Sequence, residues 1–315
     1  MQPVYVRDAV ELSSRAAEIE VNVVYKKSAG SLSGWLNGLI GVVIFSGSLP
    51  ATRLGLAVHE IDPLFLTFIR ASIAGVLALI LVLSFREQRP KTSQIGSLVI
   101  VALGVVIGFP LLTAMALQYV TSAHSIVFLG LLPLATAIFG VIRGGERPHQ
   151  AFWVFSIIGS LLVVGFALSQ NVSISQTGDL LMLASIAVCG LGYAEGAKLS
   201  RELGGWQVIS WALLISLPFM LIASWATMPA TFSSISTQAW LALGYVSFFS
   251  MLIGFIFWYK GLAVGGIAAV GQLQLLQPFF GLALSATLLH ETVSVLMLIV
   301  TLGVIACVVG SRKFA

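Results

Sequence analysis

The sequence predicts an all-α membrane protein whose ten transmembrane helices form two inverted five-helix repeats. Three observations lead there: a composition too apolar for a water-facing surface, ten apolar windows separated by short polar links, and an internal match between the two halves.

Of 315 residues, 58% are apolar and only 9% are charged, and the mean hydropathy is +1.02. Soluble domains carry about 25% charged residues. So few charges cannot cover a water-facing surface, because charged side chains seldom bury without partners, so lipid must be the outer solvent. The net charge of +4 does not point to nucleic acid, since the basic residues form no stripe interleaved with exposed aromatics. Cys189 and Cys307 lie in apolar stretches without CxxC or histidine spacing and read as packing residues, with no metal site expected. Residues 1–33 mix Arg7, Arg15, Lys26 and Lys27 with Asp8, Glu11, Glu18 and Glu20. They contain no apolar core followed by a small-residue cleavage site, so they read as a cytoplasmic tail and not as a secretory signal.

A spanning helix needs about 20 mostly apolar residues. Windows of that kind lie near 35–57, 63–83, 95–118, 123–142, 151–168, 179–199, 206–228, 238–258, 266–288 and 293–311. These are continuous apolar runs, whereas the strands of a membrane barrel alternate apolar and polar residues. Orientation follows from the links. With the N-terminus inside, fourteen of the sixteen basic residues fall on the cytoplasmic side: Arg7, Arg15, Lys26, Lys27, Arg86, Arg89, Lys91, Arg143, Arg147, Lys198, Arg201, Lys260, Arg312 and Lys313. Arg53 and Arg70 remain, and the outer links SQNVSISQTG and MPATFSSISTQ carry no charge. Ten spans with both termini inside, in an inner (plasma) membrane, satisfy this bias.

Sliding the chain by 145 residues aligns GLLPLATAIFGVIRGGE, ending at Glu146, with LLQPFFGLALSATLLHE, ending at Glu291. Proline meets proline, glutamate meets glutamate, VVG ending at Gly165 meets VVG ending at Gly310, and Arg53 meets Lys198. The repeats are read as 34–169 and 178–311. Five spans is an odd number, so the second copy enters the membrane inverted.

These features resemble the drug/metabolite transporter superfamily, EamA-like branch. The likeness runs from about Trp35 onward. It rests on weakly similar five-span halves, a proline helix that ends in a glutamate, and a glycine-punctuated last helix in each half. It also includes P-x-x-x-x-x-x-R from Pro63 to Arg70, which the second copy lacks, having Ile215 there. The resemblance implies a secondary transporter with a central cavity between its halves, commonly a metabolite exporter.

Several residues are candidates for chemistry. In GQLQLLQPFFG, Gln274, Gln277, Pro278 and Gly281 share a helical face, and Pro278 is expected to free a carbonyl that only a wet or protein-lined cavity satisfies. The equivalent face of the fourth span carries Ser125, Leu129, Pro133 and Thr136, with His124 adjacent. Both faces read as the substrate wall or as interhelical hydrogen bonding. Trp258 and Tyr259 are further substrate-contact candidates, while the remaining tryptophans mostly sit at span ends as an aromatic belt would. Arg70 reads as a cavity or gating residue, or as an interfacial arginine. Glu195 and Lys198 share a face at i,i+3 and read as a cytoplasmic gate, pairing with each other or with the opposing repeat, or as an interfacial anchor. Glu146 and Glu291 are expected to cap the fifth and tenth spans, with Pro148 in a first turn. Glycine pairs such as Gly104 with Gly108 and Gly261 with Gly265 are expected to allow close helix contact.

No GxxxxGK[ST] loop, HExxH cluster or GxSxG elbow occurs, so the chain is not expected to be an enzyme and no cofactor is expected. The expected partners are a small-molecule substrate, a proton as candidate coupling ion, and membrane lipid, with no nucleic acid. Two rivals are weighed: an intramembrane enzyme acting on lipid or prenyl carriers, and a non-transporting scaffold or sensor. The topology is testable by labelling single cysteines from outside with an impermeant thiol reagent. Position 88 should stay unmodified and position 173 should react; the reverse would overturn the orientation.

Overall fold

The structure is a computed structural model that describes residues 32–48, 51, 61–116, 118–120, 128–169, 175–229, 231–232, 235–289 and 295–315. The N-terminal tail, Arg53, His124, Ser125 and Glu291 lie outside them. Among the described residues there are ten helices and no strand. They are α1 Leu32–Ser46, α2 Pro63–Ser84, α3 Thr92–Ala116, α4 Leu132–Gly144 and α5 Gln150–Leu168 in the first half. The second half has α6 Gln176–Leu203, α7 Gly205–Ala226, α8 Thr237–Gly265, α9 over 267–289 and α10 Val295–Phe314. Seven are long and apolar enough to cross a bilayer, α1 and α4 are shorter apolar helices, and α9 is assembled from three consecutive pieces.

Local chemistry sets the boundaries. Asp62 starts α2 by accepting from the N–H groups of Leu64 (2.8 Å) and Phe65 (3.1 Å), and Pro63 occupies the first turn, where a missing N–H is harmless. α4 stops at Gly145, whose φ of +69° is the left-handed cap conformation. Single glycines join α6 to α7 and α8 to α9. Gly204 has φ +98° and ψ 150°, and Gly266 has φ +93° and ψ 137°. That region of backbone space belongs almost solely to glycine, so each pair of helices turns within one residue.

The internal duplication is visible in the backbone hydrogen bonds. Within α3, Phe109 N–H bonds to Gly104 O; within α8, Gly254 N–H bonds to Phe249 O. Both are π-type bonds spanning five residues, and donor and acceptor are each displaced by the same 145 residues found in the sequence match.

Packing follows an inverted two-fold pattern. α2 packs on α7, α5 on α10 and α4 on α9, each a helix against its own repeat counterpart, while α1 on α8 is matched by α6 on α3. With α4 on α6, these are the most extensive contacts among the described residues, and every one joins the two halves. Glycines allow the closest approaches: a Cβ on Gly261 would come 2.8 Å from Gly38 Cα, and one on Gly104 would come 2.9 Å from Gly192 Cα. α8 divides between two cores at its π segment. Ala239, Leu243 and Val246 join Ile61, Phe65 and Leu66 in a small cluster at one end, and residues from Met251 onward enter the main core.

The Gly266 junction supplies a direct test. A Cβ there would meet Ala269 Cβ at 3.7 Å and Glu146 Oε1 at 3.8 Å, so space is available and only the backbone conformation resists. Gly266→Ala should therefore destabilise the folded protein by about 1–3 kcal/mol, read as a lower thermal midpoint in detergent. Gly244→Ala, in open space mid-helix with φ negative, should leave the midpoint unchanged or raise it.

Candidate functional site

One end of the bundle carries the α2–α3, α4–α5, α6–α7 and α8–α9 links, and its polar side chains are bound across helices. Glu195 on α6 is 1% exposed; its carboxylate accepts from Arg143 Nε on α4 at 2.7 Å and from Ser97 Oγ on α3 at 2.6 Å. Nearer the end of α6, Glu202 accepts from Gln94 Nε2 on α3 at 3.0 Å. Glu146, in the α4–α5 link, accepts from Ile267 N–H (2.6 Å), Ala268 N–H (2.7 Å) and Arg201 on α6 (3.2 Å). Burial pushes the Glu146 carboxyl above the ordinary range, while the N–H groups of Ala268 and Ile267 pull it down. These are charge-assisted bonds, roughly twice as strong as neutral ones, and they join α3, α4, α6 and α9 into one polar plate.

One pair of alternatives is narrowed and one expectation corrected here. Of the two partners expected for Glu195, Lys198 or the opposing half, the ion pair is made with the opposing half, to Arg143, while Lys198 is exposed. Glu146 does not cap α5: His149 does, its Nδ1 accepting from Ala151 N–H at 3.2 Å. The glutamate instead caps α9, the first helix after the Gly266 turn, where exposed N–H groups and the helix dipole favour an anion.

The interior is aromatic and neutral. Phe45 of α1 meets Phe255 of α8 at 5.0 Å between ring centroids and Trp258 at 6.2 Å; Tyr193 of α6 meets Trp258 at 5.5 Å. Tyr259 donates to the Gly192 carbonyl at 3.2 Å. Trp258 and Tyr259 are both fully buried, and Trp258 Nε1 has no protein partner. Gln274 of α9 lies beside the Tyr193 hydroxyl and is 3% exposed, yet neither amide atom meets an acceptor or donor at hydrogen-bond geometry. Gln272 is wholly buried in the same condition.

The backbone of α9 explains how two glutamines came to be buried there. Pro278 lacks the N–H that the Gln274 carbonyl would ordinarily receive. The chain tightens to a 3₁₀ turn over Gln272–Leu276, and Gln277 N–H takes the Gln274 carbonyl instead. This corrects the expectation that the freed carbonyl needs a cavity. What a cavity would serve is the side-chain amides. Gln277 is half-buried and Pro278 buried. On the equivalent helix Pro133 is buried in the first turn of α4, and Thr136 is buried with its hydroxyl returned to the Leu132 carbonyl at 2.9 Å. Arg70, partly buried in α2, leaves Nε without a partner.

Tyr193, Gln272, Arg143 and Arg201 escaped sequence reasoning. Gln272 had a signal, being the first of three glutamines in one short run; Tyr193 sits two residues before Glu195 on a different face of α6, and nothing in the sequence marks which face looks inward.

The profile of the EamA-like transporter family matches the chain twice, over residues 32–168 and 176–312. Among similar curated proteins, "Uncharacterized transporter YdeK" of Bacillus subtilis (strain 168) is 66% identical over 283 residues, covering 90% of this chain and 98% of that one. "Probable amino-acid metabolite efflux pump" of Escherichia coli (strain K12) is 27% identical over 274 residues, 80% of this chain and 86% of that one. A solved structure titled "Crystal structure of protein" superposes with a TM-score of 0.74 at 18% identity, covering 88% of this chain and 96% of that one, a likeness of fold.

The Glu195–Arg143 pair is open to a double-mutant cycle on thermal stability in detergent. Glu195→Gln and Arg143→Gln should couple by about 0.5–3 kcal/mol, toward the lower part because the Arg143 side chain is 41% exposed. Lys198→Gln should stay within about 0.5 kcal/mol. Additive effects of the first two would make Glu195 a residue held by Ser97 alone.

Proposed function

The chain belongs to the EamA-like transporter family, and we propose that it is a secondary transporter that moves a small organic metabolite or drug across the inner membrane by alternating access, as an exporter. The observation that carries this reading is the contrast between the two layers of the site. A neutral aromatic and amide cluster lies among α1, α6, α8 and α9, and its buried Trp258 and Gln274 groups lack protein partners. Beside it, a plate of two ion pairs and further hydrogen bonds to carboxylates joins α3, α4, α6 and α9 at one end of the bundle. A binding layer behind a polar closure is what a solute path needs. The relatives' names support a transporter, and the name of one of them, an efflux pump, supports the outward direction.

The moving parts follow from the packing. Repeats 34–169 and 178–311 rocking as whole blocks would separate α1 from α8 and α6 from α3, the tightest contacts in the molecule. The movement we favour bends α3 and α8 at their repeat-equivalent π segments, where the helical ladder is already interrupted. Breaking the Glu195–Arg143 and Glu146–Arg201 pairs would then open the polar end while the far end closes. Gln274 and Gln277 are the proposed solute contacts on α9, with Trp258, Tyr259 and Thr136 around them.

Proteoliposomes preloaded with pooled amino acids, nucleosides and cationic dyes should accelerate entry of at least one labelled member by counterflow, without altering it chemically. Gln274→Leu and Gln277→Leu should each raise the half-saturation concentration of that solute roughly two- to tenfold, the worth of one neutral hydrogen bond. Unchanged values in both variants would return these glutamines to a structural role, and no counterflow in any class would remove the transporter reading.

A further inference from the structure

The chemistry of the interior cluster restricts what it can hold. Its buried polar groups include the Trp258 indole N–H and the amides of Gln272 and Gln274, none of which makes a hydrogen bond of good geometry within the protein; Tyr193, whose ring is 5.5 Å from Trp258, brings its hydroxyl beside Gln274. Leaving such a group unmade costs about 1–3 kcal/mol, and phenylalanine and leucine would fill the same space without that cost. A tryptophan and a glutamine brought together in one cluster are thus open to a partner that arrives.

Among the described residues, neither Glu195 nor Glu146 is left for that partner. Glu195 on the other face of α6 is already taken by Arg143 and Ser97, and Glu146 by Arg201 and the start of α9. A buried ion without a partner is disfavoured by several kcal/mol. A cation could rest on an aromatic face, but Phe45, Phe255, Tyr193 and Trp258 already meet one another edge to face or tilted, at interplanar angles of 58–72°, so each such contact sets a ring edge against a face a cation would use. A flat ring can slide among such edges, with offset or T-shaped contact on every side. The glutamine supplies one donor and one acceptor in the geometry of a primary amide, and the indole supplies a donor.

We propose that the site takes a flat, net-neutral aromatic solute, an aromatic carboxamide or N-heterocycle, whose amide pairs with Gln274 and whose acceptor receives the Trp258 N–H. This rests on the reading of the cluster as the transport site.

Nicotinamide, nicotinate and benzylamine test it, being of similar size and respectively neutral, anionic and cationic. Calorimetry on the purified full chain should give nicotinamide an affinity at least about tenfold above either charged probe. Gln274→Leu should weaken nicotinamide by about tenfold, and Gln274→Glu should turn the preference to benzylamine by placing a carboxylate in the site. Equal or tighter binding of a charged probe to the wild-type protein would overturn the proposal. So would nicotinamide binding indifferent to both substitutions, or no nicotinamide heat up to about 10 mM. Counterflow of labelled nicotinamide separates the two levels. Binding that follows the pattern, with no counterflow of nicotinamide or of any pooled solute, supports the neutral aromatic class and removes the transport reading. Counterflow of a charged probe that Gln274→Leu slows keeps the transport reading and overturns the class.

Discussion

In hydrocarbon no water is available to a backbone N–H or C=O, so each must find its partner inside the chain. Much of the local architecture here answers that demand. Several buried serines and threonines return their hydroxyls to the carbonyl one turn back, as Ser46, Ser200, Ser216, Ser224, Ser247 and Thr136 do. Pro278 would orphan the Gln274 carbonyl, and the helix tightens to keep it bonded. The start of α9 would orphan two N–H groups, and Glu146 reaches across from the other half to accept both. Among the described residues the demand is not met everywhere: Trp258, Gln272 and Gln274 leave side-chain groups without a protein partner, as do Trp35, Arg70, Thr113, Ser156, Ser160, Gln207 and Ser210, and Trp258 and Gln274 are set apart by lying together at the aromatic cluster.

The same demand ties the halves together. Because α9 begins within one residue of α8, it has no room for a capping segment of its own, and its cap comes from the α4–α5 link. Glu195 likewise finds its guanidinium on α4 and its hydroxyl on α3. Neither half completes its own polar end, and the apolar packing is equally interleaved, α1 lying on α8 and α6 on α3. Inversion makes this economical, since an interface between helices from opposite halves is used twice or closes on itself.

The sequence made legible what depends on period and composition: ten helices, their order, and a duplication in register with the π turns of α3 and α8. It could not show which face of each helix looks inward, and that decided the charged site. Glu195 and Lys198 are three residues apart, an ordinary helix-surface pair, yet α6 is buried along that stretch on all sides but Lys198's. The preference of a carboxylate for a helix N-terminus was the right chemistry for Glu146, applied to the nearer helix. The nearer one is capped by His149, and only tertiary structure brings α9 within reach. Pro278 drew attention to the right turn of α9 for a backbone reason that local tightening removes. The site's interest passes to the glutamine side chains around it, while the fates of His124, Ser125 and Glu291 lie outside the described residues.

Charge and neutrality are partitioned with depth, and this decides where an energetic switch can sit. The carboxylates of Glu195, Glu202 and Glu146 belong to the polar end, each held by partners on other helices. Opening that end exposes ions to water, which solvates them and offsets the bonds lost. Opening the aromatic layer exposes rings and amides, and only a bound solute offsets that loss. On the proposed reading, a polar gate that water can replace, set beside a neutral layer that a solute must fill, would make the gate easy to open and the site selective. The price of breaking Glu195 from Arg143 is lowered further by the partial exposure of the arginine, which already belongs half to the solvent that would receive it.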